Sequence, residues 1–312
     1  MRGDDIWEVL SLGYSAEGSG RHYTLGVKVA FLTTPQARYE GYWRAFVGAL
    51  GLELAEPLAP YESWLEVGQG SLPDEPLPVQ LALGEILSLG QQVDAVLVPQ
   101  QPGVRNDAWA QALTELLPQR IAGLPPLIAV PDDAADLPAA AASLGQQLVG
   151  NSGVVRRALE YVQKLGQPER RENWPTLQLG QQPSVGVIGP RSLLAHPELG
   201  QGLVAAVQAQ GLHPVLAHEL PASQVQERGE RLSDSRAAAG DRWLYGAARL
   251  LEGKGALAGL VLAYPVRDVA TQAALERVKA ELHKPALLLS VDAGQTKWPD
   301  LARFARSLGA EG

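Results

Sequence analysis

Three charged residues near predicted strand ends, Arg267, Asp268 and Asp292, are of the types that acid/base or transfer chemistry requires. Asp268 or Asp292 is an ionisable group able to take or give a proton, and the Arg267 guanidinium is a clamp for an anion. Thr33, Thr34, Gln100, Gln101 and Tyr264 stand at other strand ends and bring hydroxyl and amide groups that bind without reacting. The candidate ligand contacts are therefore Thr33, Thr34, Gln100, Gln101, Tyr264, Arg267 and Asp292. Each also reads as a helix cap or an ordinary loop residue, and no catalytic residue is singled out.

Other chemistry-bearing residues read more plainly. His196, His213, His218 and His283 include one pair spaced by five, but His213 opens a strand and His283 ends a helix, where a partly cationic imidazole suits the dipole. No metal site is expected. Asp74 with Glu75 and Asp132 with Asp133 are adjacent carboxylates that do not share a face. They read as caps or solvated turns, with Asp132-Asp133 placed to cap the alanine-rich helix ending near Val149. Glycine-rich phosphate loops and a nucleophile elbow are absent. The turn Gly189-Pro190-Arg191-Ser192, between a strand and a helix, reads either as an anion site or as an ordinary β–α turn.

Composition removes whole classes. With no cysteine among 312 residues, disulfides, thiolate catalysis and cysteine-held clusters are excluded. A net charge of -8 argues against nucleic acid or an anionic membrane as a general partner, since both call for a basic surface. No apolar run approaches the roughly 18 residues of a membrane helix. The opening residues lack a basic stretch followed by an apolar core, so a cytoplasmic location is expected.

The elements that must position these residues alternate. Residues 1–24 show no sustained period and read as an N-terminal extension. Val27 to Leu32 reads as a strand, Tyr39 to Leu50 as a helix with Tyr42, Trp43 and Phe46 in the core, and Leu52 to Ala55 as the next strand. After the turn of Pro73, Pro76 and Pro78 comes a helix whose Leu81, Leu83, Ile86, Leu87 and Leu89 recur at helical spacing, then the buried strand Val93 to Val98. A helix from about Asn106, a short strand Leu127 to Val130 and two further helices, the second over Val154 to Leu165, complete residues 25–165. A polar, proline-punctuated linker spans 166–183. From 184 to 312 the cadence restarts, with strands at Val185 to Ile188, His213 to Ala217, Ala256 to Ala263 and Pro285 to Val291. The fold class is therefore α/β: two Rossmann-like domains, each a parallel sheet flanked by helices, with an interdomain cleft as the default site.

The order of these pieces resembles the 2-hydroxyacyl-CoA dehydratase subunits and the related activase-associated, double-cubane-cluster proteins. Tyr39-Glu40-Gly41-Tyr42-Trp43, Leu50-Gly51-Leu52-Glu53-Leu54, Leu77-Pro78-Val79-Gln80, Val93-Asp94-Ala95-Val96-Leu97-Val98-Pro99 and Lys284-Pro285-Ala286-Leu287-Leu288-Leu289 stand where that family has its own strand and helix signatures. The resemblance runs from about Leu25 to Leu308.

That family uses thiolates to hold a four-iron four-sulfur cluster for radical dehydration. Its cysteine positions fall near Pro76, near Gln100 or Gln101, and near Val266 to Asp268, and its late histidine falls at Gly294. Since none of those ligands is present, the resemblance implies a cluster-free, non-redox relative with no cofactor. Its expected role is small-ligand binding or assembly, with a CoA-like ligand, or a cluster-bearing homologous subunit or second copy, as partner. An enzyme of another class that reuses the cleft, and a purely structural partner, are the alternatives.

Overall fold

The computed structural model describes residues 26–167, 174 and 182–310. The expected extension and most of the expected linker lie outside the described residues. The first half runs β1 (Lys28–Phe31), α1 (Glu40–Ala49), β2 (Glu53–Ala55), α2 (Tyr61–Ser71), α3 (Leu77–Leu89), β3 (Ala95–Gln100), α4 (Ala108–Arg120), β4 (Leu127–Pro131), α5 (Leu137–Val149) and α6 (Ser152–Val162). The second runs β5 (Ser184–Ile188), α7 (Arg191–Leu194), α8 (Pro197–Ala209), β6 (His213–Leu216), α9 (Ala222–Gly229), α10 (Ala239–Glu252), β7 (Leu257–Pro265), α11 (Val269–Ala280), β8 (Ala286–Val291) and α12 (Pro299–Ser307).

Two parallel four-stranded sheets result, ordered β2-β1-β3-β4 and β6-β5-β7-β8. In each, the winding direction reverses between the two central strands, so the loops leaving β1 and β3, and those leaving β5 and β7, diverge and open a crevice. Pro99 lies near the end of the central strand β3, two residues past Leu97, the last β3 residue in the ladder with β1, and it pairs on its other side with Val130.

Helix α3 is buried nearly all round, Glu85 included. Helix α2, which no sequence signal marked, covers one side at backbone contact. A Cβ on Gly84 would lie 1.9 Å from the Trp64 carbonyl oxygen, so only glycine admits this approach. Leu77 and Leu81 of α3 are buried in the core of the second half, against which Tyr61 and Leu65 of α2 also pack. The aromatic trio Tyr42, Trp43 and Phe46 lies in the core between the first sheet and α1, α5 and α6. Helix α6 packs on α1 and α5. Among the described residues no helix is long and apolar enough to cross a membrane.

Candidate functional site

A cleft of about 700 Å³ lies at the carboxyl ends of the strands and is lined from both halves. Thr34, Gln100 and Asp132 follow or end β1, β3 and β4, while Arg191 and Asp268 follow β5 and β7. Such a crevice is where open parallel sheets bind ligands.

The loop after β1 is held from behind. Glu85, 1 % exposed, accepts from Thr33 N (2.7 Å) and Oγ1 (2.6 Å) on one oxygen, and from Thr34 N (2.9 Å) and Oγ1 (2.8 Å) on the other. Burial pushes its carboxyl up, and the four donors oppose that rise. Both threonines are thereby committed as donors to Glu85.

Opposite, two loops repeat one geometry. Asn106 (φ 67°) precedes Asp107, which caps α4 by accepting from Ala110 N at 2.9 Å. Arg267 (φ 63°) precedes Asp268, which caps α11 by accepting from Thr271 N at 2.9 Å. Both carboxylates line the cleft. Burial raises both, and the negative charge of Asp107 raises Asp268 further, against the hydrogen bonds from Thr271.

Asp132 corrects a sequence expectation. It does not cap the following helix α5 but fastens the chain entering α1, accepting from Arg38 N (3.0 Å) and Tyr39 N (2.9 Å), while Asp133 closes a local turn onto Ala135 N. Gln101 reaches Asp132 through its amide at 3.3 Å. Burial raises the Asp132 carboxyl, against the hydrogen bonds from Arg38 and Tyr39 and the charges of Arg38 and Arg191.

Of the seven candidates, Thr34, Gln100 and Gln101 stand on the cleft wall. Thr33 lies behind it on Glu85. Tyr264 lies inside β7, Arg267 is an exposed residue in the loop after it, and Asp292 is exposed beyond the edge strand β8. These last three are not brought to the wall. Arg191 in the Gly189–Ser192 turn donates through Nε to the Gln36 carbonyl at 2.7 Å, tying the second half to the loop after β1.

Asp107, Arg242 and Trp243 also line the cleft, although their spacing singled out none of them. The one signal was at Asp107, an aspartate at the start of a predicted helix. The histidines are scattered: His196 caps α8 through Nδ1, and burial holds it down at about 4, so it is neutral. Among the described residues no group of three or more His, Asp or Glu could hold a metal ion.

No family model matches the chain, and no curated protein does. Among solved structures, the chain is similar to the dinucleotide-forming acetyl-coenzyme A synthetase 1 of Ca. Korarchaeum cryptofilum in its apo form. The identity is 10 % and the TM-score 0.21, over 93 % of this chain and 61 % of that one. The same synthetase in complex with phosphate and ADP gives 11 % identity at the same TM-score and coverage. The chain thus spans less than two thirds of that protein, and a TM-score of 0.21 bears on neither family nor function.

Proposed function

We propose that this protein binds a small organic ligand in the interdomain cleft, as a cluster-free, non-redox relative of the 2-hydroxyacyl-CoA dehydratase subunits working in the cytoplasm. The observation that supports this reading is the cleft itself, about 700 Å³ and lined from both halves, within the roughly 300 to 1,000 Å³ range of small-molecule sites. Its lining is apolar for the most part, with a few convergent polar groups.

The charge of that lining bears on the ligand. Asp107, Asp132, Asp133, Asp136, Glu230 and Asp268 give six carboxylates, against three guanidinium groups from Arg38, Arg191 and Arg242. A polyanion such as CoA meets net repulsion there, so a neutral or amine-bearing ligand fits better than the CoA-like one that the resemblance implies. A second reading, acid/base catalysis at Asp268, draws support from its raised carboxyl beside the cleft.

Native mass spectrometry on protein purified from its own cells tests the binding reading, with Thr114→Trp filling the cleft. A small molecule retained by the wild type and lost from the variant, with unchanged circular dichroism, is the expected result. Absence of any bound mass, together with no thermal shift from CoA, acyl-CoA or amine-bearing metabolites, would overturn it.

A further inference from the structure

The two halves are joined by contacts of unlike chemistry, one apolar and one mostly polar. Helix α3 is an apolar joint. Leu77 and Leu81, 0 and 1 % exposed, are embedded in the second half's core, with Tyr61 and Leu65 packed beside them, and Leu77 N donates to the Val266 carbonyl.

The segment 101–107 leaves β3 and crosses to the start of α10 and the loop before it through polar bonds. Gly240 N donates to the Gly103 carbonyl at 3.0 Å, Arg105 N to Asp241 Oδ2 at 2.7 Å, and Arg105 Nη1 to Asp234 Oδ2 at 2.9 Å. Val104 is its single buried apolar anchor. Five of its residues, Gln101, Pro102, Gly103, Val104 and Asp107, also line the cleft.

We propose that residues 101–107 are a releasable strap: the cleft opens when the strap leaves the start of α10, while the joint at α3 stays closed and acts as the hinge.

Three physical points carry this. Separating α3 from the second core exposes large apolar side chains to water, whereas most strap bonds can be exchanged for bonds to water at small net cost. Release also strands no buried charge. Asp241 keeps Ala238 N at 2.9 Å and Arg277 Nη2 at 2.7 Å after Arg105 N has gone. Asn106, in the left-handed region that asparagine tolerates, supplies a turn at the strap's far end. The tie from Arg191 to Gln36 O is polar in the same way and exchangeable. The seating is tight, since a Cβ on Gly240 would lie 2.6 Å from the Pro102 carbonyl oxygen. The proposal rests on the binding reading only for the use of the motion, and its test uses no ligand.

Because the chain has no cysteine, Ala82→Cys introduces a unique thiol at a cleft-lining position only 2 % exposed. Its labelling by fluorescein maleimide is compared with and without Gly240→Ala, which pushes the strap off its seat. Labelling faster by about tenfold or more in the Gly240→Ala background is expected, with amide exchange accelerated at Arg105 and unchanged at Val96. Equal labelling rates, or acceleration shared by the sheet amides, would overturn the proposal. Should Gly240→Ala fail to fold, wild-type exchange decides: Arg105 and Gly240 amides exchanging faster than Val96 support the strap, and equal rates sink it. A failed labelling test leaves the mass-spectrometric result standing, and the reverse holds.

Discussion

The loop after β1 and the loop after β5 hold the same place in their sheets, yet they are held by different means. The first is fixed from within its own half, by Glu85 of α3 behind Thr33 and Thr34. The second sends Arg191 across to Gln36 O and depends on the other half. Their helices differ in the opposite sense. The chain entering α1 is fastened by Asp132, 93 residues beyond Tyr39, while α8 is capped by its own His196. Only the loops after β3 and β7 match, each a left-handed residue followed by a capping aspartate. One topology therefore tolerates several ways of satisfying the same loop and helix-end groups.

Removing the internal brace should break the comparison hardest. Glu85→Ala leaves the Thr33 and Thr34 donors unpaired in a buried place, and we expect a loss of about 3 to 5 kcal/mol, read by chemical denaturation. A loss under 1 kcal/mol would mean that the loop does not depend on Glu85. Next comes His196, whose folded value of about 4 lies below its ordinary 6.5. The unfolded chain then takes up a proton first as pH falls. Stability contributed by the neutral ring is full above about 6.5 and is lost progressively toward about 4, by roughly 3 kcal/mol. His196→Asn, which can still cap, should flatten stability over that window; an unchanged slope would count against a buried neutral ring.

Asp132→Ala should cost about 1 to 2 kcal/mol by leaving the Arg38 and Tyr39 amides ahead of α1 without their acceptor, seen as a lower midpoint in urea. The smallest effect is expected at the matched aspartates. Burial raises both carboxyls, so the folded state holds its proton to higher pH than the unfolded chain does. Stability therefore falls as pH rises from the unfolded value through the folded one. Asp107→Asn and Asp268→Asn retain a capping oxygen and should each weaken this decline with little change in neutral stability. A loss above 1 kcal/mol at pH 7 in either would show that the charge itself, not the cap, holds its helix.

How far the sequence carries can be seen element by element. The runs Val93 to Val98 and Val185 to Ile188 were legible because strands buried on both faces read as continuous apolar stretches. Helix α2 was not. Its sequence, YESWLEVGQGS, has a weak apolar period and two glycines, and it is held by close approach to α3. Thr34, Gln100 and Gln101 could be placed on the cleft wall because they end or follow the central strands β1 and β3. Asp292, exposed after the edge strand β8, lies off it, although Asp132 after the other sheet's edge strand β4 lies on it, and no strand-end pattern separates the two. With β7 running on to Pro265, Tyr264 falls inside the strand, and the left-handed turn at Arg267 brings Asp268 to the cap in its place. Asp132 reads as the cap of the next helix but fastens the chain ahead of α1, a partner 93 residues away that local spacing does not encode.

From its residues alone, this chain was bound to be cysteine-free, acidic and α/β, because composition and apolar period act locally and need no knowledge of partners. Which carboxylate braces which loop, which half supplies each wall of the cleft, and which contacts between the halves are polar were decided only by the tertiary structure. Each depends on groups tens of residues apart meeting at hydrogen-bond distance, and no spacing along the chain encodes that meeting.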